Sequence, residues 1–294
     1  MKPFQHILSA TDLSAHARHA VERAALICRE TGACLDLLHV ANLGPLERLR
    51  QLMGIAPADM EAHILNAAQK NLLDLAISIQ QRFDVTAGVH VVAGALLPTL
   101  AKEADARATD LLVCGAKGES GIRHFTLGTT ASRMLSTTTR PMLVVRQQAH
   151  EAYRRVLVPV DFSPSSLGAI QQARRIAPDA EIVLLHVFDV PFEGQLRYAN
   201  VEEEMIHQYR ILARQEATQK LQALRDDSGL STHNSHLVVL HGDAALRIIE
   251  QEQEADCDLI AMGKHGENLL EDLLLGSVTR HVLTEAQGDV LVSV

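Results

Sequence analysis

The stretch Gly115-Ala-Lys-Gly118, followed by nine residues and then Gly128-Thr129, recurs 148 residues later as Gly263-Lys-His-Gly266, nine residues and Gly276-Ser277. Both copies read G-x-x-G-x9-G-[ST]. Each begins where an apolar run ends, at Leu111-Leu-Val-Cys-Gly115 and Leu259-Ile-Ala-Met-Gly263, and each ends where a helical pattern starts. A chain that repeats one strand-to-helix loop at an interval of half its length is built from two copies of one α/β unit.

The loop has a definite chemistry. Missing side chains let a ligand approach the backbone, and the helix that follows offers free N–H groups and the positive end of its dipole. The hydroxyl of Thr129 or Ser277 adds a donor suited to a phosphate. One such loop would read as a turn former, whereas two with the same internal spacing point to a shared ligand. The spacing is neither that of a Walker A loop nor that of a dinucleotide fingerprint. In these residues the sequence resembles the universal stress protein family, whose ATP-binding members carry the same G-x-x-G-x9-G-[ST] signature. The resemblance covers almost the whole chain as two tandem domains.

The chain of 294 residues contains 47% apolar residues, but no Trp and only 3% aromatics. Leu, Val, Ile and Ala dominate, as in parallel strands buried on both faces. No apolar run approaches the roughly 20 residues needed to span a bilayer, and the first residues lack the apolar core of a signal peptide, so a soluble cytoplasmic protein is expected. Cys28, Cys34, Cys114 and Cys257 form no C-x-x-C pair and are expected to be free thiols, the last two inside buried strands. Net charge is −9, divided between +2 for residues 1–150 and −11 for 151–294. Without a basic cluster, nonspecific nucleic-acid binding is not expected.

The two halves run in parallel. His6 to Ala10 reads as a first strand, Asp12 follows, and Ser14 caps a helix with apolar positions Ala17, Ala20, Val21, Ala24, Ile27 and Cys28, stopped by Gly32. The second half repeats this as Val156 to Val160, Asp161 and then Ser163-Pro164, a cap followed by proline at the first helical position. The second strands both end in Leu-Leu-His-Val, at Val40 and Val187, with His39 and His186 read as structural. Long amphipathic helices follow, whose core stripes are read as Met60, Ile64, Ala68, Leu72, Leu75 and Ile79, and as Met205, Tyr209, Leu212, Leu221 and Leu224. Third strands, the strands that deliver the two loops, a further helix and a terminal strand complete each half. Five strands alternating with helices predict a doubly wound parallel sheet per half, in domains at 1–147 and 153–294.

Other chemistries find little support. His16/His19 and His233/His236 lack further ligands at metal-binding spacing. No G-x-S-x-G nucleophile elbow occurs. A phosphate-accepting receiver domain needs clustered acids at the first strand, where each half has one.

The resemblance implies strand order 3-2-1-4-5 and an ATP site in each half. It places Asp12 and Val40 at adenine, Gly115 at the ribose side, and Gly118, Gly128, Thr129 and Thr130 at the phosphates. The matching second set is Asp161, Val187, Gly263, Gly266, Gly276, Ser277 and Val278. Mg2+ bridging the phosphates is the implied ion, and a sensor or regulator of a stress response, working through a protein partner, the implied role. A nucleotide-free dimerisation scaffold and a slow ATP-cleaving enzyme are the alternatives. Family members commonly pair through the fifth strand, so an internal pseudo-dimer of Pro141 to Val145 with Asp289 to Val294 is expected, and a homodimer is compatible with it. Arg123 and His124 in the first nine-residue insert, against Glu271 and Asp272 in the second, predict tighter binding at the first site.

Overall fold

The computed structural model describes residues 3–44, 57–118, 127–190, 202–266 and 275–294. The chain divides into two compact units, Met1–Ala152 and Tyr153–Val294. The first contains β1 (His6–Ala10), α1 (Ala15–Thr31), β2 (Cys34–Ala41), α2 (Pro57–Phe83), β3 (Ala87–Ala93), α3 (Leu96–Ala106), β4 (Leu111–Gly115), α4 (Thr129–Thr137) and β5 (Met142–Val145). The second contains β6 (Arg155–Pro159), α5 (Pro164–Ile176), β7 (Glu181–Phe188), α6 (Glu203–Asp227), β8 (Ser235–His241), α7 (Ala244–Glu254), β9 (Leu259–Gly263), α8 (Ser277–Glu285) and β10 (Asp289–Ser293).

All described strand pairs within a unit are parallel, in the order β3-β2-β1-β4-β5 and, in the second unit, β8-β7-β6-β9-β10. The central strands are buried continuously rather than on alternate residues, as in Leu111 to Cys114 and Leu259 to Met262, because helices cover both sheet faces. Each unit carries the same anchor at the start of its first strand. Asp110 accepts from the N–H groups of Gln5 and His6, and Asp258 from those of Arg154 and Arg155.

Local signals act as their chemistry dictates in α1. The Ser14 side chain accepts from the N–H of Ala17 at 3.2 Å, and Gly32 ends the helix at φ +75°, its N–H bonded to Cys28 O. The start of α5 differs, since Ser163 occupies the cap position but makes no capping bond with its side chain.

Two expectations are corrected. Met205, Tyr209 and Leu212 are not core but 63%, 47% and 61% exposed, and α6 packs instead through Ile206, Ala217 and Leu221. Leu221 of the expected stripe is buried and Leu224 half-buried; at about 100° per residue they share the face of Ile206 and Ala217, whereas Met205, Tyr209 and Leu212 lie on another face. Cys257 lies ahead of β9 rather than within it, although it is buried.

Candidate functional site

In each unit the chain leaves the first strand for β2 or β7 on one side, then returns to place β4 or β9 on the other. The carboxyl ends of β1 and β4, and of β6 and β9, therefore flank a switch point, where open α/β sheets hold ligands. Asp12 and Asp161 stand just beyond the ends of β1 and β6, and Gly115 and Gly263 are the last residues of β4 and β9.

The aspartates are set by a strained turn that the sequence does not advertise. Leu13 and Phe162, each directly after its aspartate, have φ of +66° and +64°. For bulky residues this conformation costs about 1–3 kcal/mol and persists only where surrounding contacts impose it. One such contact is shared: Oδ1 of Asp12 accepts from the N–H of Ser14 at 3.0 Å, and Oδ1 of Asp161 from that of Ser163 at 3.1 Å.

The other carboxylate oxygen explains the second glycine of the signature. A Cβ on Gly118 would stand 2.6 Å from Oδ2 of Asp12, and one on Gly266 2.9 Å from Oδ2 of Asp161. The two sequence-distant residues thus form one cradle in each unit. The remaining glycines serve the backbone itself. A Cβ on Gly115 would meet His16 O at 3.2 Å, and one on Gly263 would meet Ser165 Cβ at 2.7 Å, so each allows the strand end to abut the helix start. Gly128 N–H bonds Ala116 O at 2.8 Å and Gly276 N–H bonds Lys264 O at 3.1 Å, closing each nine-residue excursion against the strand that launched it. A Cβ on Gly128 would stand 3.0 Å from Ala116 O. Gly115, Gly128 and Gly263 are therefore favoured by close protein contacts, a reason that the sequence pattern alone does not reveal, whereas a Cβ on Gly276 would meet Lys264 O only at an ordinary 3.4 Å.

This closure presents the N-termini of α4 and α8 at the same rim. Their cap residues, Gly128 and Gly276, offer no side-chain capping bond, in contrast to Ser14 on α1 and Asp243 on α7. Thr129, Thr130 and Ser277 are exposed and Val278 half-buried. Uncapped first-turn N–H groups with the helix dipole behind them suit an anion.

Val40 and Val187 are half-buried near the ends of β2 and β7, in register with Val92 and Leu240. Thr11 N–H donates to Leu38 O, bringing Asp12 alongside the end of β2. His39 and His186 are structural pins: Nδ1 of His39 lies 2.9 Å from Thr11 O and that of His186 2.7 Å from Val160 O, a geometry in which Nδ1–H donates.

The second cradle carries polar groups where the first has alanine. Ser166, in the place of Ala17, donates to Oδ1 of Asp161 at 2.5 Å, joined by the Ser163 hydroxyl at 2.6 Å. Thr279, in the place of Ala131, donates to Gly263 O at 3.0 Å. Lys264, in the place of Ala116, is buried, which lowers its pKa. Burial would raise the Asp161 carboxyl, but the Ser163 and Ser166 hydrogen bonds outweigh it and its pKa is lowered. Sequence reading missed these residues; only the alignment of the two halves singles them out.

Arg123, His124, Glu271 and Asp272 lie outside the described residues. Among the described residues no group of three or more His, Cys, Asp or Glu stands together as for a metal. The His16 and His19 rings meet edge-on at 6.4 Å, and His236 pairs with Glu181. No described helix is long and apolar enough to cross a membrane.

Comparison with known proteins adds an independent line. The model of the universal stress protein family matches residues 3–146 and again 152–293. A universal stress protein of Methanocaldococcus jannaschii is 36% identical over 143 residues, covering 48% of this chain and 81% of that protein. One from Mycolicibacterium smegmatis is 25% identical over 299 residues, covering 97% of this chain and 96% of its own. The crystal structure of a universal stress protein from Archaeoglobus fulgidus superposes with a TM-score of 0.69 at 19% identity, covering 98% and 97% of the two chains, a likeness of fold.

Proposed function

The chain belongs to the universal stress protein family, in two tandem copies, and on that premise we propose that each half binds ATP and that the protein acts as a nucleotide-dependent sensor or regulator in a stress response. The observation that carries the reading is the cradle itself. An aspartate oxygen lies against a glycine of the loop, at a switch point, beside a helix N-terminus without a side-chain cap, and all of this occurs twice.

In this reading Asp12 and Val40, and Asp161 and Val187, meet the adenosine end of the ligand. Gly115 and Gly263 lie on the ribose side. The phosphates take the N–H groups and hydroxyls at Gly118, Gly128, Thr129 and Thr130, and at Gly266, Gly276, Ser277 and Val278. The fit is chemical: a carboxylate is an acceptor for an amine or sugar hydroxyl, whereas uncapped helix ends accept anions. Mg2+ would be held through the phosphates and water, a mode that needs no protein cage. Hydrolysis, if any, is expected to be slow, since the sequence offers no evident general base beside the loops.

The test is to quench the purified chain in acid, chromatograph the released small molecules and titrate the stripped protein with Mg-ATP by calorimetry. Adenine nucleotide released or bound at about one or two per chain supports the reading. No release and no heat of binding would leave a nucleotide-free scaffold.

A further inference from the structure

The two cradles share a backbone but not the means of holding their aspartates. Around Asp161 the Ser166 hydroxyl closes a ring: it accepts from the N–H of Asp161 at 3.0 Å and donates to Oδ1 of the same residue at 2.5 Å. Ser163 adds its hydroxyl at 2.6 Å and its N–H at 3.1 Å to the same oxygen. Three donors saturate Oδ1 and fix the plane of the carboxylate, directing Oδ2 at Gly266. Both serines are buried, so water does not compete strongly for these bonds.

In the first unit Ala17 stands where Ser166 does, and the Ser14 hydroxyl is spent on the N–H of Ala17. Asp12 is exposed, whereas Asp161 is half-buried. A second brace points the same way, because Thr279 ties the start of α8 to Gly263 O where the first unit has Ala131.

We propose that Ser166 is a positioning residue that preorganises Asp161 for the nucleotide, giving the second site an increment of affinity that Ala17 withholds from the first. The proposal rests on the ATP-binding reading above. The physical basis is that a side chain already held in its bound rotamer has less freedom to lose on binding, worth roughly two- to tenfold in affinity. It acts independently of the charges on the nine-residue inserts, which are screened at about 0.5 M salt, where the Debye length is about 4 Å.

The experiment is a Mg-ATP titration of the full chain at that salt, followed by NMR through the amides of Gly118 and Gly266, which read the two sites separately. Ser166→Ala is expected to weaken the second site roughly two- to tenfold and leave the first unchanged. Ala17→Ser is expected to tighten the first site, a gain that a merely structural serine would not deliver. If both variants leave each affinity within the error of the titration, the positioning role is wrong while nucleotide binding stands. If neither amide in the unaltered chain responds to Mg-ATP, the ATP reading itself fails and the proposal with it.

Discussion

Replacing Gly118 by alanine tests the cradle at its narrowest point. Its backbone does not require glycine for a left-handed φ, and among the described residues the added Cβ would meet the Asp12 carboxylate, with Oδ2 at 2.6 Å. Ordinary contact begins near 3.4 Å, so the carboxylate has to retreat by about 0.8 Å. In the proposed ATP-binding reading, that shift would break the hydrogen bond from the nucleotide to a charged acceptor, a loss of about 1.5–3 kcal/mol, or roughly ten- to a hundredfold in Kd. The folding cost should be small because the carboxylate ends an exposed side chain that can turn about its own bonds. Gly128→Val is a poorer probe, because its Cβ would stand 3.0 Å from the Ala116 carbonyl oxygen and so presses on the backbone as well as on the site. The assay is a double-mutant cycle on the first site, with Gly118→Ala, Asp12→Ala and both together. If alanine acts by displacing Asp12, the pair should bind no more weakly than Asp12→Ala alone. Additive losses would refute the mechanism, and an unchanged Kd in Gly118→Ala would remove the contact from the site.

Three further outcomes follow from side chains beyond the cradles. Burial pushes the thiols of Cys28, Cys114 and Cys257 up to about 12, whereas Cys34 is exposed; iodoacetamide at about pH 8 should label one thiol in the native chain and four after unfolding, as counted by mass spectrometry. Arg82 pairs with Glu22, which is buried and whose Oε2 has no hydrogen-bond partner among the described residues; Arg82→Ala should destabilise the first unit by about 2 kcal/mol, read from the urea midpoint. The Asp161 carboxyl is depressed below its ordinary 3.8, so its contribution to stability is full above that value and lost as pH falls through the depressed one; Ser163→Ala or Ser166→Ala should raise its pKa and bring that loss to higher pH, visible in a carboxyl carbon titration by NMR.

Much of the architecture was legible because its signals are local. Ser14 before an apolar period, Gly32 after it, and unbroken runs such as Leu111 to Cys114 each act within a few residues. The rim position of Asp12 and Asp161 was legible for a different reason, namely repetition at the same place in both halves. What stayed hidden depends on tertiary approach. The phase of α6 is decided by which face meets β7 and β8, and Met205, Tyr209 and Leu212 look as apolar in sequence as a core stripe. Left-handed backbone at Leu13 and Phe162 has no signature, since neither residue type favours it. Gly118 reads as a phosphate-loop glycine, yet the atom it makes room for belongs to a residue 106 positions earlier, Asp12.

The differences between the halves fall in a consistent place. Backbone devices recur almost unchanged: the strained residue after the aspartate, the Asx bond, the glycine beneath Oδ2, and the bond that closes the nine-residue excursion. Three alanines on the protein side of the first cradle, Ala17, Ala116 and Ala131, become Ser166, Lys264 and Thr279 in the second. Ser166 and Thr279 make hydrogen bonds to cradle atoms. Divergence of this kind keeps the shape of a site while changing how firmly it is held. Two sites with the same recognition geometry and unequal rigidity fill at different nucleotide concentrations, and a tenfold ratio of Kd separates their midpoints by about 1.4 kcal/mol, or one decade. If each half binds ATP as proposed, the chain would within that decade carry one nucleotide in most copies, a half-loaded state that two identical sites would populate less.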